Sequence, residues 1–208
     1  MTKDIKYVDT KTSDYSIVQY TFDMYTKANC ILKYYSNNRN IFEANEIIKG
    51  IYLGNINSVY DIEKLKSIGI THVISVIGGF IPPYPEDFKY LVINALDTQY
   101  TNLIDSFDTS NDFIDDAIMD DSKILIHCQA GRSRSATILA AYFIKTFGID
   151  VDMAIDVIKN ERHIIEPNKY FISQLQNYYN NLLISYNIPS IGMSGNSYSQ
   201  RVFKGLGS

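Results

Sequence analysis

The residues best suited to chemistry are a cysteine and an arginine six positions apart in one short segment. Residues 123–137 read KILIHCQAGRSRSAT, with Cys128 after an apolar run and Arg134 at the start of a helical pattern. Arginine presents a planar fork of donors that binds two oxygens of a phosphate at once, which lysine cannot do. Gly131 lies between them and allows the tight curve that brings both side chains together. This spacing predicts a thiol nucleophile beside an anion site.

The same segment should lower the pKa of the Cys128 thiol. A buried strand that runs through a loop into a helix near Ser135 points backbone amides and the helix N-terminus at one spot, and these groups favour an anion. Thiols in such settings have pKa values of about 3.5 to 7.5 instead of about 8.5. We therefore expect a thiolate at neutral pH.

Cleavage of a phosphate ester also requires a proton for the departing oxygen, and a carboxylic acid on a loop above the anion site can supply it. Asp97 follows an apolar run and precedes Cys128 by 31 positions. Asp105 and Asp108 are nearby, but they fit the solvated face and the cap of the next helix better. Asp97 is therefore the predicted general acid.

Several segments resemble one known family. Residues 127–135, HCQAGRSRS, are similar to the signature of the protein tyrosine phosphatases, in the form found in the dual-specificity subgroup. The resemblance extends across about residues 47–178 through three further segments, GIYLGN at 50–55, LKSIGITHVISV at 65–76 and RHIIEPNKYFISQL at 162–175. The family usually has proline where this chain has His163, at a turn away from the chemistry. Arg162 is interpreted as an ion-pair partner within the domain or as a solvated charge.

The resemblance implies a two-step mechanism through a phosphocysteine, with no metal or other cofactor. Cys128 would attack phosphorus, while Asp97 would protonate the leaving group and later take a proton from water. Ser135 would donate a hydrogen bond to the departing thiolate. The phosphate would be held by the loop residues Gln129, Ala130, Gly131, Arg132, Ser133 and Arg134. His127 and Asn168 would support this loop.

The elements that must position these residues alternate along the chain. Short apolar runs bounded by turn residues are typical of parallel strands buried on both faces, and strands are predicted at residues 47–53, 72–77, 90–93 and 123–127. Helical patterns occur at residues 58–69, 103–119, 135–147, 151–159 and 168–186. The predicted fold class is α/β, a three-layer sandwich with a central, mostly parallel sheet of about five strands flanked by helices.

One catalytic domain with two extensions is expected. Residues 1–45 are assigned to an N-terminal extension, partly helical because apolar residues recur at helical spacing over residues 15–35. Residues 46–187 are assigned to the catalytic domain. Residues 188–208 are rich in Gly and Ser with little to bury, which indicates a flexible tail.

Charge and composition argue against several functions. The formal net charge of −4 does not suit a nucleic-acid partner or an anionic membrane, because both require a basic face. The apolar runs are too short to span a bilayer, and the start MTKDIKYVDT is too polar for a signal peptide. Two cysteines and three scattered histidines offer neither a disulfide framework nor a zinc site. We expect a cytoplasmic protein, with the nucleus as a second location.

The predicted function is hydrolysis of phosphotyrosine and of phosphoserine or phosphothreonine in protein substrates. Two alternatives stay open: a lipid or RNA 5′-phosphatase on the same fold, and a module that binds phosphoproteins without turnover. Such modules normally lack the cysteine or another catalytic residue, whereas Cys128, Arg134 and Asp97 are all present here. The physiological substrate and the oligomeric state do not follow from the sequence.

Overall fold

The structure is a computed structural model that describes residues 4–10, 21, 24–26, 28, 32 and 42–186. The helix predicted over residues 15–35 lies largely outside these residues, although each position described between 21 and 32 is helical. The tail predicted at residues 188–208 lies wholly outside them. Among the helices that are described, none has the length and apolar character needed to cross a bilayer.

A single sheet forms the centre of the described part of the chain. Its strands are β1 (Ile5–Asp9), β2 (Ala44–Ile48), β3 (Ile51–Gly54), β4 (Ile70–Val76), β5 (Lys89–Asn94) and β6 (Lys123–His127). They lie in the order β1-β5-β4-β6-β3-β2, and every neighbouring pair is parallel except β2 with β3. The predicted α/β class with a mostly parallel sheet is confirmed.

Helices flank this sheet. The α-helices with described bounds are α1 (Ile62–Ile68), α2 (Phe107–Met119), α3 (Arg134–Phe147), α4 (Val151–Glu161) and α5 (Lys169–Ser185). Short 3-10 helices at Ser58–Tyr60 and Leu103–Ser106 precede α1 and α2. Helix α3 packs against β3, β4 and β6 as well as against the other long helices. Every helix predicted within residues 58–186 is present, with its ends displaced by a few residues or its first turn in the 3-10 form.

The strands predicted from continuous apolar runs are confirmed at β4, β5 and β6. Nearly every residue of these strands is buried, because helices and loops cover both faces of the sheet. Their side chains belong to the hydrophobic core of the domain. The carboxyl ends of the parallel strands therefore meet at one edge, where loops can gather functional side chains.

The prediction of one continuous strand at residues 47–53 was wrong. The segment is an antiparallel hairpin of β2 and β3, and the chain reverses at Lys49 and Gly50. Gly50 has φ of 84°, and its N–H donates to Oε1 of Glu46 at 2.9 Å. The apolar run is interrupted only by Lys49 and Gly50, and the turn could not be recognised because the flanking residues fit a continuous strand.

Strand β1 was not predicted, and it raises the sheet from about five strands to six. The sequence alone assigns these residues to an extension outside the catalytic domain. Instead β1 pairs with β5 along its whole length, from Ile5 opposite Tyr90 to Asp9 opposite Asn94. Its pattern IKYVD gives little periodicity, because an edge strand buries few of its side chains.

Candidate active site

The chain folds back on itself between strand β6 and helix α3. Gly131 lies in the middle of this loop with φ of 65°, and a Cβ there would lie 2.5 Å from the carbonyl oxygen of Gly54 at the end of β3. A larger residue would be both strained and in collision with backbone. The Ile56 N–H donates to the Gln129 carbonyl at 3.3 Å. The loop is therefore curved against the end of the neighbouring strand, as the predicted role of Gly131 requires.

Cys128 lies at the start of this loop, with 2% of its surface exposed. The Ser135 hydroxyl donates to Sγ at 3.2 Å. Burial alone would raise the pKa of the thiol and is the largest single effect. The Arg134 guanidinium, the Ser135 hydroxyl and the backbone N–H groups of Ser135 and Arg132 together outweigh it, so the pKa of Cys128 lies below the ordinary value of a cysteine thiol. The loop favours a thiolate.

Arg134 lies near Cys128 in a buried position, and one of its N–H groups makes no hydrogen bond within the described residues. Its side chain is 6% exposed. Its Nη1 donates to the Ala95 carbonyl at 3.0 Å. Its Nε is buried without a hydrogen-bond partner among the described residues, and Oδ2 of Asp97 lies 3.9 Å away. An unpaired buried donor costs about 1–3 kcal/mol, so an oxyanion bound beside the sulfur would relieve this cost.

Asp97 lies above the loop, with its side chain 36% exposed. Its Oδ1 accepts hydrogen bonds from the Ser133 hydroxyl at 2.8 Å and from Nδ2 of Asn168 at 2.6 Å. The Asn168 N–H in turn donates to the Ser133 hydroxyl at 3.2 Å. Two donors thus occupy Oδ1, while Oδ2 is the oxygen on the side of Arg134. A proton carried by Asp97 would reside on Oδ2.

The two acids that were set aside lie elsewhere. Asp105 accepts a hydrogen bond from Nδ2 of Asn102 at 2.8 Å, within the 3-10 helix that precedes α2. Asp108 accepts from the Tyr178 hydroxyl at 2.7 Å. Of the three candidates, Asp97 is the one that the structure brings to Arg134 and the loop.

The predicted phosphate-binding residues divide into two groups. Gly131, Ser133 and Arg134 are buried, whereas Gln129, Ala130 and Arg132 are exposed. The Arg132 side chain turns away from Cys128: its Nε donates to the Ile164 carbonyl at 3.1 Å, and Nη2 pairs with the Glu166 carboxylate. Near the sulfur, Arg132 contributes only its backbone N–H, which helps to lower the pKa of Cys128. Arg132 therefore ties the loop to the segment before α5.

His127 and Asn168, the predicted supporting residues, contact different parts of the site. His127 shares a 2.7 Å hydrogen bond through Nε2 with the Ser75 hydroxyl on β4, and its ring packs edge-on against Phe80. Burial lowers the pKa of His127 to about 3, so the ring is neutral at physiological pH. Asn168 contacts Ser133 and Asp97. His127 thus fixes neighbouring strands, and Asn168 links the loop to the predicted general acid.

Arg162 is a structural residue of the site that the sequence analysis left undecided. Its side chain is 3% exposed, and Nε donates to the Gly131 carbonyl at 3.0 Å. Nη1 donates to Oδ1 of Asn45 at 2.7 Å, and Nη2 donates to Oε1 of Glu43 at 2.9 Å. Arg162 is therefore an ion-pair partner that joins the loop to strand β2. Its distant partners left no local signal in the sequence.

Within the part of the chain that the structure describes, side chains that could bind a metal ion do not form a cluster. Within the described residues, no group of three or more His, Cys, Asp or Glu side chains is placed to hold a metal ion. The polar groups that do converge are the thiol, the guanidinium, one carboxylate and several backbone amides. This set can attack, bind and protonate a phosphate ester.

Replacing Ser135 by alanine should raise the pKa of Cys128. The hydroxyl donates to the sulfur, and a hydrogen bond to an ionised group contributes about 1.5–3 kcal/mol, so its loss should raise the pKa of the thiol. Because the thiolate is the reactive form, the rise of alkylation rate with pH should move to higher pH. The measurement is iodoacetamide labelling of the peptide that contains Cys128, followed by mass spectrometry.

Thr137→Val provides the matched control for this substitution. The Thr137 hydroxyl donates to the Ser133 carbonyl at 2.9 Å, on the same helix as Ser135. We expect its pH profile to match that of the unmodified protein. An unshifted profile in Ser135→Ala would contradict the assigned role of the serine hydroxyl.

Comparison of the sequence with known proteins gives a clear match. The family model described as dual specificity phosphatase, catalytic domain, matches residues 51–181. The dual specificity protein phosphatase 1B of Arabidopsis thaliana is 40% identical over 136 residues, which cover 65% of this chain and 81% of that protein.

Solved structures agree with this match. The human tyrosine phosphatase-like serine/threonine/tyrosine-interacting protein superposes with a TM-score of 0.66 at 33% identity, over 69% of this chain and 99% of that one. A mouse putative dual specificity phosphatase, solved in complex with zinc tungstate, gives a TM-score of 0.68 at 25% identity, over 75% of this chain and 98% of that one.

Proposed function

Because this chain belongs to the dual-specificity phosphatase family, we propose that it hydrolyses phosphotyrosine and phosphoserine or phosphothreonine in proteins through a phosphocysteine on Cys128. The family model and the dual specificity phosphatases among its relatives support protein phosphatase activity on phosphoprotein substrates. The observation that carries the mechanism is the sulfur of Cys128, whose pKa is lowered by the Arg134 charge and by the Ser135 hydroxyl despite burial.

In the first step the Cys128 thiolate attacks phosphorus. The bond between phosphorus and the ester oxygen breaks, and the proton on Oδ2 of Asp97 goes to that oxygen, so the alcohol or phenol leaves neutral. The Arg134 guanidinium and the loop amides stabilise the phosphoryl oxygens as their charge is redistributed. The products of this step are the free alcohol, a phosphocysteine and an Asp97 carboxylate.

In the second step water attacks the phosphorus of the phosphocysteine. The Asp97 carboxylate takes a proton from that water, the bond between sulfur and phosphorus breaks, and inorganic phosphate forms. The sulfur leaves as a thiolate, which the Ser135 hydroxyl stabilises through the hydrogen bond seen at 3.2 Å. The enzyme returns to its starting protonation state.

The buried Nε of Arg134 is evidence for an oxyanion site beside Cys128, because the described residues offer this N–H no hydrogen-bond partner. The mouse relative was solved in complex with zinc tungstate. Tungstate is a tetrahedral oxyanion like phosphate, so that complex is in keeping with an oxyanion site in the shared fold. The exposed surface at Gln129 and Ala130 leaves room beside the loop for a protein segment.

The test of substrate class is a comparison of kcat/KM on three classes of phosphorylated substrate. Peptides with phosphotyrosine and with phosphothreonine are expected to be the best substrates, ahead of phosphoinositides in mixed micelles and of RNA with a 5′-triphosphate. A kcat/KM for either lipid or RNA that exceeds the values for both peptides would contradict the proposal and favour the corresponding alternative.

A second candidate function is binding of phosphoproteins without turnover. One observation favours it, since the human structure of 33% identity bears the name of an interacting protein. The presence of Cys128, Arg134 and Asp97 in one site favours the enzyme instead. Release of phosphate by the purified chain separates the two functions.

A further inference from the structure

The N-terminal strand β1 ends beside the segment that carries Asp97. This strand, Ile5–Asp9, lies outside residues 51–181, which the family model matches. The register of the sheet places Asp9 opposite Asn94, the last residue of β5. Asp97 follows Asn94 by three positions. The strand therefore lies outside the residues that the family model matches, and it reaches the base of the predicted general-acid loop.

Polar contacts from this strand hold Asn94 through both its side chain and its backbone. Nδ2 of Asn94 donates to Oδ1 of Asp9 at 2.5 Å. The Thr10 hydroxyl donates to the Asn94 carbonyl at 2.5 Å, and Thr10 is buried. Oδ1 of Asn94 accepts from the Gly79 N–H at 3.3 Å. Asn94 is therefore fixed between β1 and the loop that follows β4.

Ala95, the residue after Asn94, connects Asn94 to the active site. The Ala95 carbonyl accepts from the Gly78 N–H at 3.1 Å and from Nη1 of Arg134 at 3.0 Å. Ala95 is buried, and Asp97 lies two positions further, with its Oδ2 3.9 Å from Nε of Arg134. The orientation of Asn94 thus bears on the Asp97 segment, whereas Arg134 is also fixed by its place at the start of α3 and by burial of its side chain.

The strand itself is anchored well enough to serve as a fixed support. Ile5 and Val8 pack against the hydrophobic core, and the Tyr90 N–H donates to the Asp4 carbonyl at 3.2 Å. The remaining ladder follows the parallel register with β5. A shift of β1 would therefore cost several backbone hydrogen bonds, whereas the loop at Asp97 has few backbone bonds of its own.

We propose that β1 positions the predicted general acid, with Thr10 and Asp9 as positioning residues that act through Asn94. This inference rests on the proposed role of Asp97. Neither residue touches the substrate or the reacting atoms. Their loss leaves Cys128 and the phosphate-binding loop in place but lets the Asp97 segment move relative to the leaving oxygen, which weakens proton transfer.

The experiment measures how steeply the rate depends on the leaving group. Thr10→Val and Asp9→Ala are compared with the unmodified chain on aryl phosphates from p-nitrophenyl phosphate, which needs little protonation, to phenyl phosphate. Each variant is expected to lose about threefold to tenfold in kcat/KM on phenyl phosphate, the range of one hydrogen bond, and twofold or less on p-nitrophenyl phosphate. The comparison uses kcat/KM because this constant reports the first step only, whereas kcat also includes the breakdown of the phosphocysteine, which is common to both substrates. Alkylation of Cys128 should keep its pH profile.

Lys6→Ala is the matched control, because Lys6 lies on β1 with its side chain exposed. It should keep the leaving-group dependence of the unmodified chain. A purely structural role for Thr10 and Asp9 would lower the melting temperature and reduce both rates by the same factor, and that result would overturn the inference.

Asp97→Asn, measured in the same series, separates a failure of the β1 inference from a failure of the proposed function. A steep leaving-group dependence in Asp97→Asn together with an unchanged dependence in both β1 variants would overturn the inference and leave the proposed function standing. An unchanged dependence in Asp97→Asn would remove Asp97 as the proton donor and would overturn the inference with it.

Discussion

Replacing Cys128 by serine is expected to lower kcat by roughly 10⁴-fold or more, the loss typical when a covalent nucleophile is removed. The groups that lower the pKa of the thiol cannot ionise a serine hydroxyl to a useful extent, because its pKa is far higher. The measurement is the initial rate of phosphate release from p-nitrophenyl phosphate and from a phosphotyrosine peptide, with the melting temperature recorded to verify folding.

Cys30→Ser is the control, since it changes the other of the two cysteines in the chain. We expect it to retain full activity. The Cys128→Ser variant should still bind the phosphotyrosine peptide in calorimetry, because Arg134 and the loop amides are unchanged. Turnover that survives in Cys128→Ser would remove the sulfur from the mechanism.

Replacing Asp97 by asparagine should produce the second largest effect, and its size should depend on the substrate. A serine alkoxide is a poor leaving group and requires the proton from Asp97, so kcat on a phosphoserine peptide should fall by about 10²- to 10⁴-fold. The nitrophenolate of p-nitrophenyl phosphate leaves without protonation, so the first step on that substrate should change little. Burst kinetics on both substrates measure this difference.

Asp105→Asn is the matched control for charge and position. Asp105 accepts its hydrogen bond from Asn102 and lies in the next 3-10 helix, so its loss should leave both rates within about twofold of the unmodified values. An equal loss of the first-step rate on the two substrates in Asp97→Asn would indicate a positioning or binding role for Asp97 in place of proton transfer.

The parts of the fold that could be predicted are those with a local signal. Strands β4, β5 and β6 are buried on both faces and therefore appear as continuous apolar runs. Helix α1 ends at Gly69, whose φ of 85° fits the glycine at which the predicted helix stops. Strand β1 has no such signal, because it becomes a strand only through its pairing with β5, 85 positions away.

The active site also has one part that the sequence predicts and one part that it does not. Cys128, Gly131 and Arg134 lie within seven residues of chain, so their spacing alone indicates a curved loop with a thiol and a guanidinium. The contacts that hold this loop come from distant segments. Arg162 contacts Gly131, which lies 31 positions away, and Glu43, which lies 119 positions away, and such distant pairings leave no trace in local periodicity.

The direction of individual side chains was equally beyond the sequence. For Arg132 the expectation concerned its backbone N–H in the loop, and the position of its guanidinium was not predicted. The guanidinium contacts the Ile164 carbonyl and the Glu166 carboxylate. Asn168 was expected to support the loop, and it also donates to Asp97. Both outcomes depend on where the segment before α5 lies, which is decided by packing of the whole domain and not by its own residues.

The measurement that tests the central claim most directly is chemical trapping of the intermediate. Asp97→Asn, mixed with p-nitrophenyl phosphate and quenched in acid within its first turnover, should yield a peptide in which Cys128 carries one phosphoryl group, and the group should form as fast as nitrophenol is released. Release of nitrophenol with Cys128 unmodified, or with the phosphoryl group on another residue, would contradict the account.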